Sequence, residues 1–109
     1  MSLTDDKFTI VNNYNAIGKS GLIHSFDAYI KRGTEEYLVK RVKILDMVEF
    51  IKILAAHIDI GMPIIILALG FDDGIEELAK SYKDIIILKE ERIEDFHLVH
   101  LLKKILEKS

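Results

Sequence analysis

Two uninterrupted apolar runs constrain the fold more than any other feature of this sequence. After Pro63 the chain reads Ile-Ile-Ile-Leu-Ala-Leu, and after Asp84 it reads Ile-Ile-Ile-Leu. A strand with one solvated face alternates apolar and polar residues, whereas a strand covered on both faces is apolar throughout. The two runs therefore predict adjacent strands, at 63–69 and 84–88, inside a sheet that has other structure packed on both faces.

The remaining elements follow from shorter patterns. Period-two alternation predicts three earlier strands, at 8–13, 22–31 and 36–43, with turns at 12–15 and 32–33. On the second strand the alternation places one set of side chains on a single face: Leu22, His24, Phe26, Ala28 and Ile30. Helical spacing predicts helices at 45–58 and 92–107, and a short helix from 73 to 82. Asp73 is expected to cap the short helix, with Glu76 as its capping-box partner.

The predicted order is βββ-α-β-α-β-α, which indicates an α/β fold. The first three strands form an antiparallel meander, so the second and third strands pair antiparallel. Because a crossover between strands of one sheet is right-handed and joins parallel strands, the last two strands should be parallel. The result is a mixed five-stranded sheet.

Length and composition restrict the class of protein. The chain has 109 residues, 50% of them apolar, which is enough for a single domain spanning 1–109. It contains no cysteine, which excludes disulfides and thiolate metal sites. No apolar run approaches the ~20 residues of a membrane span, and no signal peptide is visible, so we expect a cytoplasmic protein with no membrane partner. Residues 1–3 are interpreted as a cloning remnant, which would make the chain a domain excised from a longer protein.

The charges are unevenly distributed. The net charge is −3, which argues mildly against a dedicated nucleic-acid binder. Between residues 18 and 43, however, six basic residues outnumber three acidic ones. The basic residues are the candidates for binding nucleic acid: Lys19, Lys31, Arg32, Lys40, Arg41 and Lys43. From composition alone, ordinary solvated surface charge is the favoured interpretation of these residues.

Two segments carry a resemblance to a known family. Residues 18–27 read Gly-Lys-Ser-Gly-Leu-Ile-His-Ser-Phe-Asp, and residues 37–43 read Tyr-Leu-Val-Lys-Arg-Val-Lys. With the element order, from about Phe8 to Leu88, they resemble the restriction-endonuclease-like superfamily of PD-(D/E)xK nucleases, especially archaeal Mrr-type and Holliday-junction-resolvase-type domains. The resemblance implies the restriction-endonuclease-like fold. It makes Asp27 the first metal-binding aspartate and places Arg41 and Lys43 at the family's glutamate and lysine.

This match lacks the second acid that the family's chemistry requires. Hydrolysis of a phosphodiester by such a site needs two carboxylates on adjacent strands to hold Mg²⁺ or a similar ion. Arg41 cannot ligate a cation, and a register shifted by two residues reads Leu38-x-Lys40, which also lacks an acid. Asp27, Lys43 and Glu36 are therefore interpreted as remnants of a catalytic site.

For Asp27 a structural role is preferred to a metal site, as an acid paired with Arg41 or Lys43 inside the sheet. We expect no metal and no cofactor, with Asp27 as the ligand if a metal binds. Mg²⁺ or Mn²⁺ would be needed only by an active enzyme.

Three functions are compatible with the sequence. The preferred one is a non-catalytic, nuclease-like accessory domain that contacts DNA or a partner domain. Similar domains are attached to archaeal ATPases of the RecA type, which implies the C-terminal domain of an ATP-binding protein, with its ATPase domain as partner. The alternatives are an active divalent-metal-dependent DNA endonuclease using Asp27, Lys43 and Glu36, and a structural domain that forms a homodimer. In that last case the final helix would present Leu98, Leu101 and Leu102.

The histidines support no strong site. His97 and His100, with Glu94, have a spacing on the last helix that permits a zinc pair, but no third ligand is evident, so a half-buried helix face is the preferred explanation. His24 lies among apolar strand residues and is expected to form a hydrogen bond within the fold. His57 lies near a helix end, where a positive imidazole is favourable.

Overall fold

The computed structural model describes residues 9–89, which form one mixed sheet with helices in its crossovers. The elements in chain order are β1 (Thr9–Ile17), β2 (Ile23–Arg32), β3 (Glu35–Leu45), α1 (Met47–Ile60), β4 (Ile64–Phe71), α2 (Ile75–Ala79) and β5 (Ile85–Lys89). The predicted helix at 92–107 lies outside the described residues, as do His97, His100 and the three leucines assigned to a dimer. Neither helix within 9–89 is long and apolar enough to cross a membrane.

The strands lie in the sheet in the same order as in the chain, β1-β2-β3-β4-β5. The β1–β2 and β2–β3 pairs are antiparallel, whereas β3–β4 and β4–β5 are parallel. This confirms the α/β class, the mixed five-stranded sheet, the antiparallel hairpin and the parallel pair formed by the two apolar runs.

Strand β4 is the centre of the core. Every residue from Ile64 to Ala68 is at most 3% exposed, so the prediction of a strand buried on both faces is confirmed. Ile64, Ile66 and Ala68 pack in a cluster with the buried residues of α1 and α2. Ile65 and Leu67 belong to a second cluster on the opposite face. β5 is less buried than predicted. Over residues 9–89 it is the last strand of the sheet, so it pairs with β4 along one side only.

Helix α1 begins later than predicted because Asp46 is its N-cap rather than part of its first turn. The Asp46 carboxylate accepts the Glu49 backbone N–H at 2.8 Å, and Leu45 still belongs to β3. An N-cap acid satisfies one of the amides that the first turn leaves without a partner. Gly61 ends the helix with φ of 88°, a left-handed conformation that glycine adopts without strain.

Helix α2 contradicts the predicted capping box. It spans Ile75–Ala79, its N-cap is Gly74, and no side chain caps it. Gly74 has φ of 88°, so the chain turns between Asp73 and the first helical residue. Asp73 is therefore one position too early to serve as the cap.

The predicted turn at 12–15 is also wrong, because β1 continues through it to Ile17. Asn13 takes the turn-like conformation alone, with φ of 55°, which asparagine tolerates better than most residues. The pairs on either side of it are Asn12 with Ala28 and Tyr14 with Phe26. The strand is thus interrupted at one residue and then resumes.

This interruption changes the side of the sheet to which the β2 side chains point. Phe26 packs in the cluster with α1, whereas Ala28 and Ile30 belong to the second cluster. A regular strand would place all three on one face. The prediction of a single alternating face is therefore wrong at Asp27, which lies between Phe26 and Ala28 opposite Asn13.

Candidate functional site

Asp27 lies where the pairing of β2 with β3 stops. The last residues in register are Ala28 and Val39. Beyond them, Asp27 Oδ2 accepts the backbone N–H of Arg41 at 2.6 Å. A side-chain oxygen therefore replaces a backbone carbonyl as the partner of this β3 amide. The role of Asp27 inside the sheet is thus a hydrogen bond to the main chain of Arg41.

Two clefts open beside this break in the ladder. The helix-side cleft, of about 370 Å³, lies between α1 and strands β2 and β3, and its described lining is Ile23, His24, Ser25, Phe26, Lys40, Glu49, Lys52, Ile53 and Ala56. The hairpin-side cleft, of about 320 Å³, is lined by Asn13, Asn15, Ser25, Phe26, Asp27 and Lys40. Ser25, Phe26 and Lys40 line both, so the two clefts meet at Lys40.

Lys40 is held at this junction by the neighbouring strand. Its Nζ donates to the Ser25 carbonyl oxygen at 3.1 Å, which uses one of three ammonium hydrogens. Asn15 Oδ1 accepts from Ser25 Oγ at 3.0 Å, which leaves the Asn15 amide nitrogen as a donor. The hairpin-side cleft therefore combines an ammonium group and amide donors with one carboxylate.

The helix-side cleft adds a second positive charge and an acid. Lys52 Nζ lies 3.6 Å from Glu49 Oε2, one turn apart on α1. Lys52 is exposed and Glu49 is half-buried, so this is a solvated pair that water screens. With Lys40 included, the cleft carries two lysines against one glutamate, and a small anion would meet net positive charge.

The structure separates the six basic residues predicted to bind nucleic acid. Lys19 lies in the β1–β2 turn, whereas Lys31 and Arg32 lie at the far end of β2. At about 3.3 Å per residue, the ten residues of β2 put these groups roughly 30 Å apart. The six residues therefore do not form one basic patch.

The register of β3 separates the remaining three. Lys40 lies level with Ile66 and Arg41 with Leu67, and these two β4 residues belong to opposite core clusters. Arg41 therefore points to the other face of the sheet from Lys40. Lys43 is exposed farther along β3. Of the six, Lys40 is the residue that lines both clefts.

The three catalytic remnants do not converge either. Glu36 pairs in register with Lys31 and accepts the Tyr29 hydroxyl at 2.6 Å. Lys40 lines the same cleft as Asp27. Glu36 lies four residues from Lys40 on β3, roughly 13 Å along the strand, and is therefore remote from that cleft. The hydrogen bond to Glu36, and then burial, raise the pKa of Tyr29 to about 12. Within residues 9–89, no three His, Cys, Asp or Glu side chains are grouped closely enough to hold a metal ion.

Sequence reasoning missed the most densely hydrogen-bonded group near these clefts, the Asp59 carboxylate. Its Oδ1 accepts the Ser20 backbone N–H at 2.8 Å, and its Oδ2 accepts the Ser20 hydroxyl at 2.6 Å. His24 Nε2 also lies 2.8 Å from Oδ2, which confirms the expected hydrogen bond of His24 within the fold. We call these three residues the Asp59 clamp. The clamp ties the β1–β2 turn to the C-terminal end of α1.

The geometry of the clamp is structural rather than catalytic. In a nucleophilic triad the serine bonds to the histidine, whereas here both Ser20 and His24 bond to the carboxylate. Gly18 has a positional role, because a Cβ there would overlap the Asp59 carboxylate. No local motif links Ser20 to a residue 39 positions away, so the sequence carried no signal for this contact.

The clamp predicts a specific dependence of stability on pH. The Ser20 hydroxyl, His24 and the Ser20 amide lower the pKa of Asp59 from 3.8 to about 2. Because this pKa is lower in the folded chain, the unfolded chain binds the proton first, and the stabilisation is present above about pH 4. We expect wild type to exceed Asp59→Asn in free energy of unfolding above pH 4, with the difference shrinking as the pH falls from about 4 to about 2.

Urea titrations at several pH values between 2 and 6 measure this difference. Ser20→Ala removes the hydroxyl, which is the first of the three hydrogen-bonding groups. The free energy of unfolding of this variant should therefore depend less on pH than that of wild type. A wild-type advantage that stays constant down to pH 2 would contradict the assignment.

Comparisons with known proteins establish the fold and no more. No family model matches the chain, and no curated protein matches it. Among solved structures, the chain is similar to the crystal structure of AF1548, a protein of unknown function, with a TM-score of 0.68 and 16% sequence identity. The match covers 94% of this chain and 61% of AF1548, so the chain spans about three fifths of that protein's length. At this identity the similarity shows a shared fold, namely an α/β architecture around a five-stranded mixed sheet.

Proposed function

We propose that the chain is a restriction-endonuclease-like module without nuclease activity, which contacts the phosphate backbone of a nucleic acid at the two clefts that meet at Lys40. The observation that carries this proposal is the position of Lys40. Its ammonium group lies at the junction of both clefts, with donors to spare. Phosphate oxygens are bound by such ammonium and amide donors, with little dependence on sequence.

The lining of the hairpin-side cleft supports the absence of cleavage. Asp27 is the carboxylate among its described residues, and one of its oxygens already accepts the Arg41 amide. A hard cation such as Mg²⁺ needs near-octahedral coordination by oxygens. A single carboxylate that is partly committed to the backbone is a poor ligand set for it.

A second candidate is the divalent-metal-dependent endonuclease, and Glu49 is the observation in its favour. Glu49 lines the helix-side cleft, which Lys40 joins to the cleft of Asp27. Glu49 is engaged with Lys52 rather than with Asp27, so we rank this activity second. A partner ATPase domain of the RecA type is supported by the family resemblance alone.

Fluorescence anisotropy with a short DNA duplex, between ~50 and ~200 mM salt, tests the proposal. Lys40→Gln is expected to weaken binding roughly tenfold, as for loss of one charged hydrogen bond. It should also reduce the slope of log K against log salt by about 0.9, the value for one phosphate contact. Lys31→Gln is the matched control, because it removes the same charge from an exposed strand end and should change the affinity much less.

Three results would contradict the proposal. Absence of binding at ~50 mM salt would favour the partner-domain function. Equal losses for Lys40→Gln and Lys31→Gln would show that the clefts are not the binding surface. Cleavage of the duplex in Mg²⁺ or Mn²⁺ that Asp27→Ala and Glu49→Ala both abolish would establish the endonuclease instead.

A further inference from the structure

The outer face of α1 carries an exposed row of apolar residues. Val48 is 61% exposed, Ile51 is 55% exposed and Ile58 is 67% exposed, and Ala55 is also exposed. We call Val48, Ile51, Ala55 and Ile58 the outer stripe. The opposite side of the helix is the one that packs on the sheet, through Phe50, Ile53 and Ala56. Helix α1 is therefore apolar on two sides, and the sheet covers one of them.

The spacing in the outer stripe is that of a helix–helix seam. Its residues are separated by three, four and three positions, as are the a and d positions of a heptad. A single exposed isoleucine is ordinary on a protein surface, but an aligned row of apolar residues marks an interaction site. The pattern favours a second helix as the occupant.

The tip of the β1–β2 hairpin extends this apolar surface. Ile17 and Ile23 form a direct cross-strand pair, 71% and 65% exposed, and the adjoining Leu22 is 63% exposed. The Asp59 clamp holds the adjoining turn against the C-terminal end of α1, and Ile23 lines the helix-side cleft together with Lys52. The tip and the helix therefore lie side by side on the same part of the molecule.

We propose that the outer stripe of α1 is the interface of a twofold-symmetric homodimer in which the two α1 helices pack antiparallel. The stripe fits a second copy of itself. With the twofold axis near residue 53, Ile51 of one copy lies opposite Ala55 of the other, and Val48 lies opposite Ile58. Each large residue in the middle thus meets a small one, which lets the helices approach closely.

The charge of the stripe also favours a second copy over a charged partner. None of its four positions carries a charge, so it offers nothing to select an acidic or basic surface. An isologous interface needs no such complementarity, because the same patch occurs on both sides. Glu49 and Lys52, which line the helix-side cleft, lie on the flank of α1 and are not part of the stripe.

The available area is sufficient for a weak dimer. Met47 is 46% exposed and adjoins the stripe. At roughly 60 Å² for each partly exposed aliphatic side chain, Met47, the stripe and the hairpin tip offer about 400 Å² of apolar surface per copy. Because about 65% of a homodimer interface is apolar, two copies would bury about 1,200 Å² in total. That is the lower end of the range for specific interfaces, so the dimer should dissociate at low concentration.

Sedimentation velocity from about 1 to 500 μM tests the dimer and its location. We expect wild type to shift from monomer to dimer across this range, and Ile51→Lys to remain monomeric. Val11→Lys is the matched control, since Val11 is an aliphatic residue 41% exposed on β1, away from α1, and this variant should dimerise like wild type. Circular dichroism of each variant confirms that it is folded. A wild type that stays monomeric at 500 μM, or a dimer that Ile51→Lys leaves intact, would overturn the proposal.

Engineered cysteines then test the antiparallel orientation without interference, because the chain has no cysteine of its own. In the proposed dimer residue 51 of one copy lies opposite residue 55 of the other. A mixture of Ile51→Cys and Ala55→Cys proteins should therefore oxidise mainly to the mixed disulfide. Predominance of the disulfide between two Ile51→Cys copies would show that residue 51 lies opposite itself, as in parallel helices or in an antiparallel pair of another register, and would overturn the proposed pairing.

Discussion

An aspartate in place of Ile65 is expected to leave the chain unfolded at neutral pH. Ile65 is 0% exposed, and it lies level with Val39 on one side and Ile86 on the other. The buried residues that surround it in the second cluster are all apolar, namely Ala28, Ile30, Val39 and Leu67. The penalty for burying an unpaired ion is several kcal/mol, comparable with the total stability of ~5–15 kcal/mol of a small domain.

Circular dichroism with a urea titration provides the measurement for Ile65. Ile65→Val keeps the side chain apolar and should cost about 0.5–1.5 kcal/mol, with a cooperative transition retained. If Ile65→Asp unfolded cooperatively with near wild-type stability, the face of β4 opposite α1 would have to be open to water. The assignment of Ile65 to a buried cluster on that face would then be wrong.

Phe50→Ala is expected to give the second largest effect, a loss of about 3–5 kcal/mol, because it removes a large aromatic side chain and leaves a cavity. Phe50 is 0% exposed, and its ring packs 6.1 Å from that of Tyr82. For a domain of this size the loss corresponds to a decrease in Tm of roughly 15–30 °C.

Scanning calorimetry at low micromolar concentration separates this effect from dimerisation. Ile58→Ala is the control on the same helix, because its side chain is 67% exposed and should change stability by no more than about 0.5 kcal/mol. Similar losses for Phe50→Ala and Ile58→Ala would mean that α1 does not bury the face assigned to it.

The parts of the fold that the sequence predicted are those with a strong local pattern. Strand β4 is apolar at every position from Ile64 to Leu69, and few structures other than a central strand can bury such a run. The parallel pairing of β4 with β5 followed from the handedness of crossovers, which is nearly invariant. These features need no knowledge of distant contacts.

The parts that were missed depend on contacts between distant residues or on the backbone conformation of a single residue. The change of face at Asp27 depends on the conformation of Asn13 in the neighbouring strand, and alternation along β2 alone gives no sign of it. The capping box failed because Gly74, one residue after Asp73, turns the chain before α2 begins.

The candidate site illustrates the same limit. The sequence did not distinguish Lys40 from the other five basic residues. The register of β3 against β4 determines that Lys40 lines the clefts, whereas Arg41 points to the other face of the sheet. Asp59 had no predicted role, because its partners Ser20 and His24 lie more than 30 residues earlier in the chain. The geometry of the candidate site is therefore set by register and tertiary contacts more than by motif.

The sequential order of the strands has a consequence for how the chain folds. Within residues 9–89 each strand pairs with its neighbour in the chain, so the β1–β2–β3 meander closes through short turns and needs no distant partner. Loop closure of this kind costs little entropy and is fast, whereas the parallel pairs must wait for a crossover to form. During synthesis the meander can thus form before β4 emerges, and β3 then offers a free edge to the most apolar and aggregation-prone segment of the chain as soon as that segment appears.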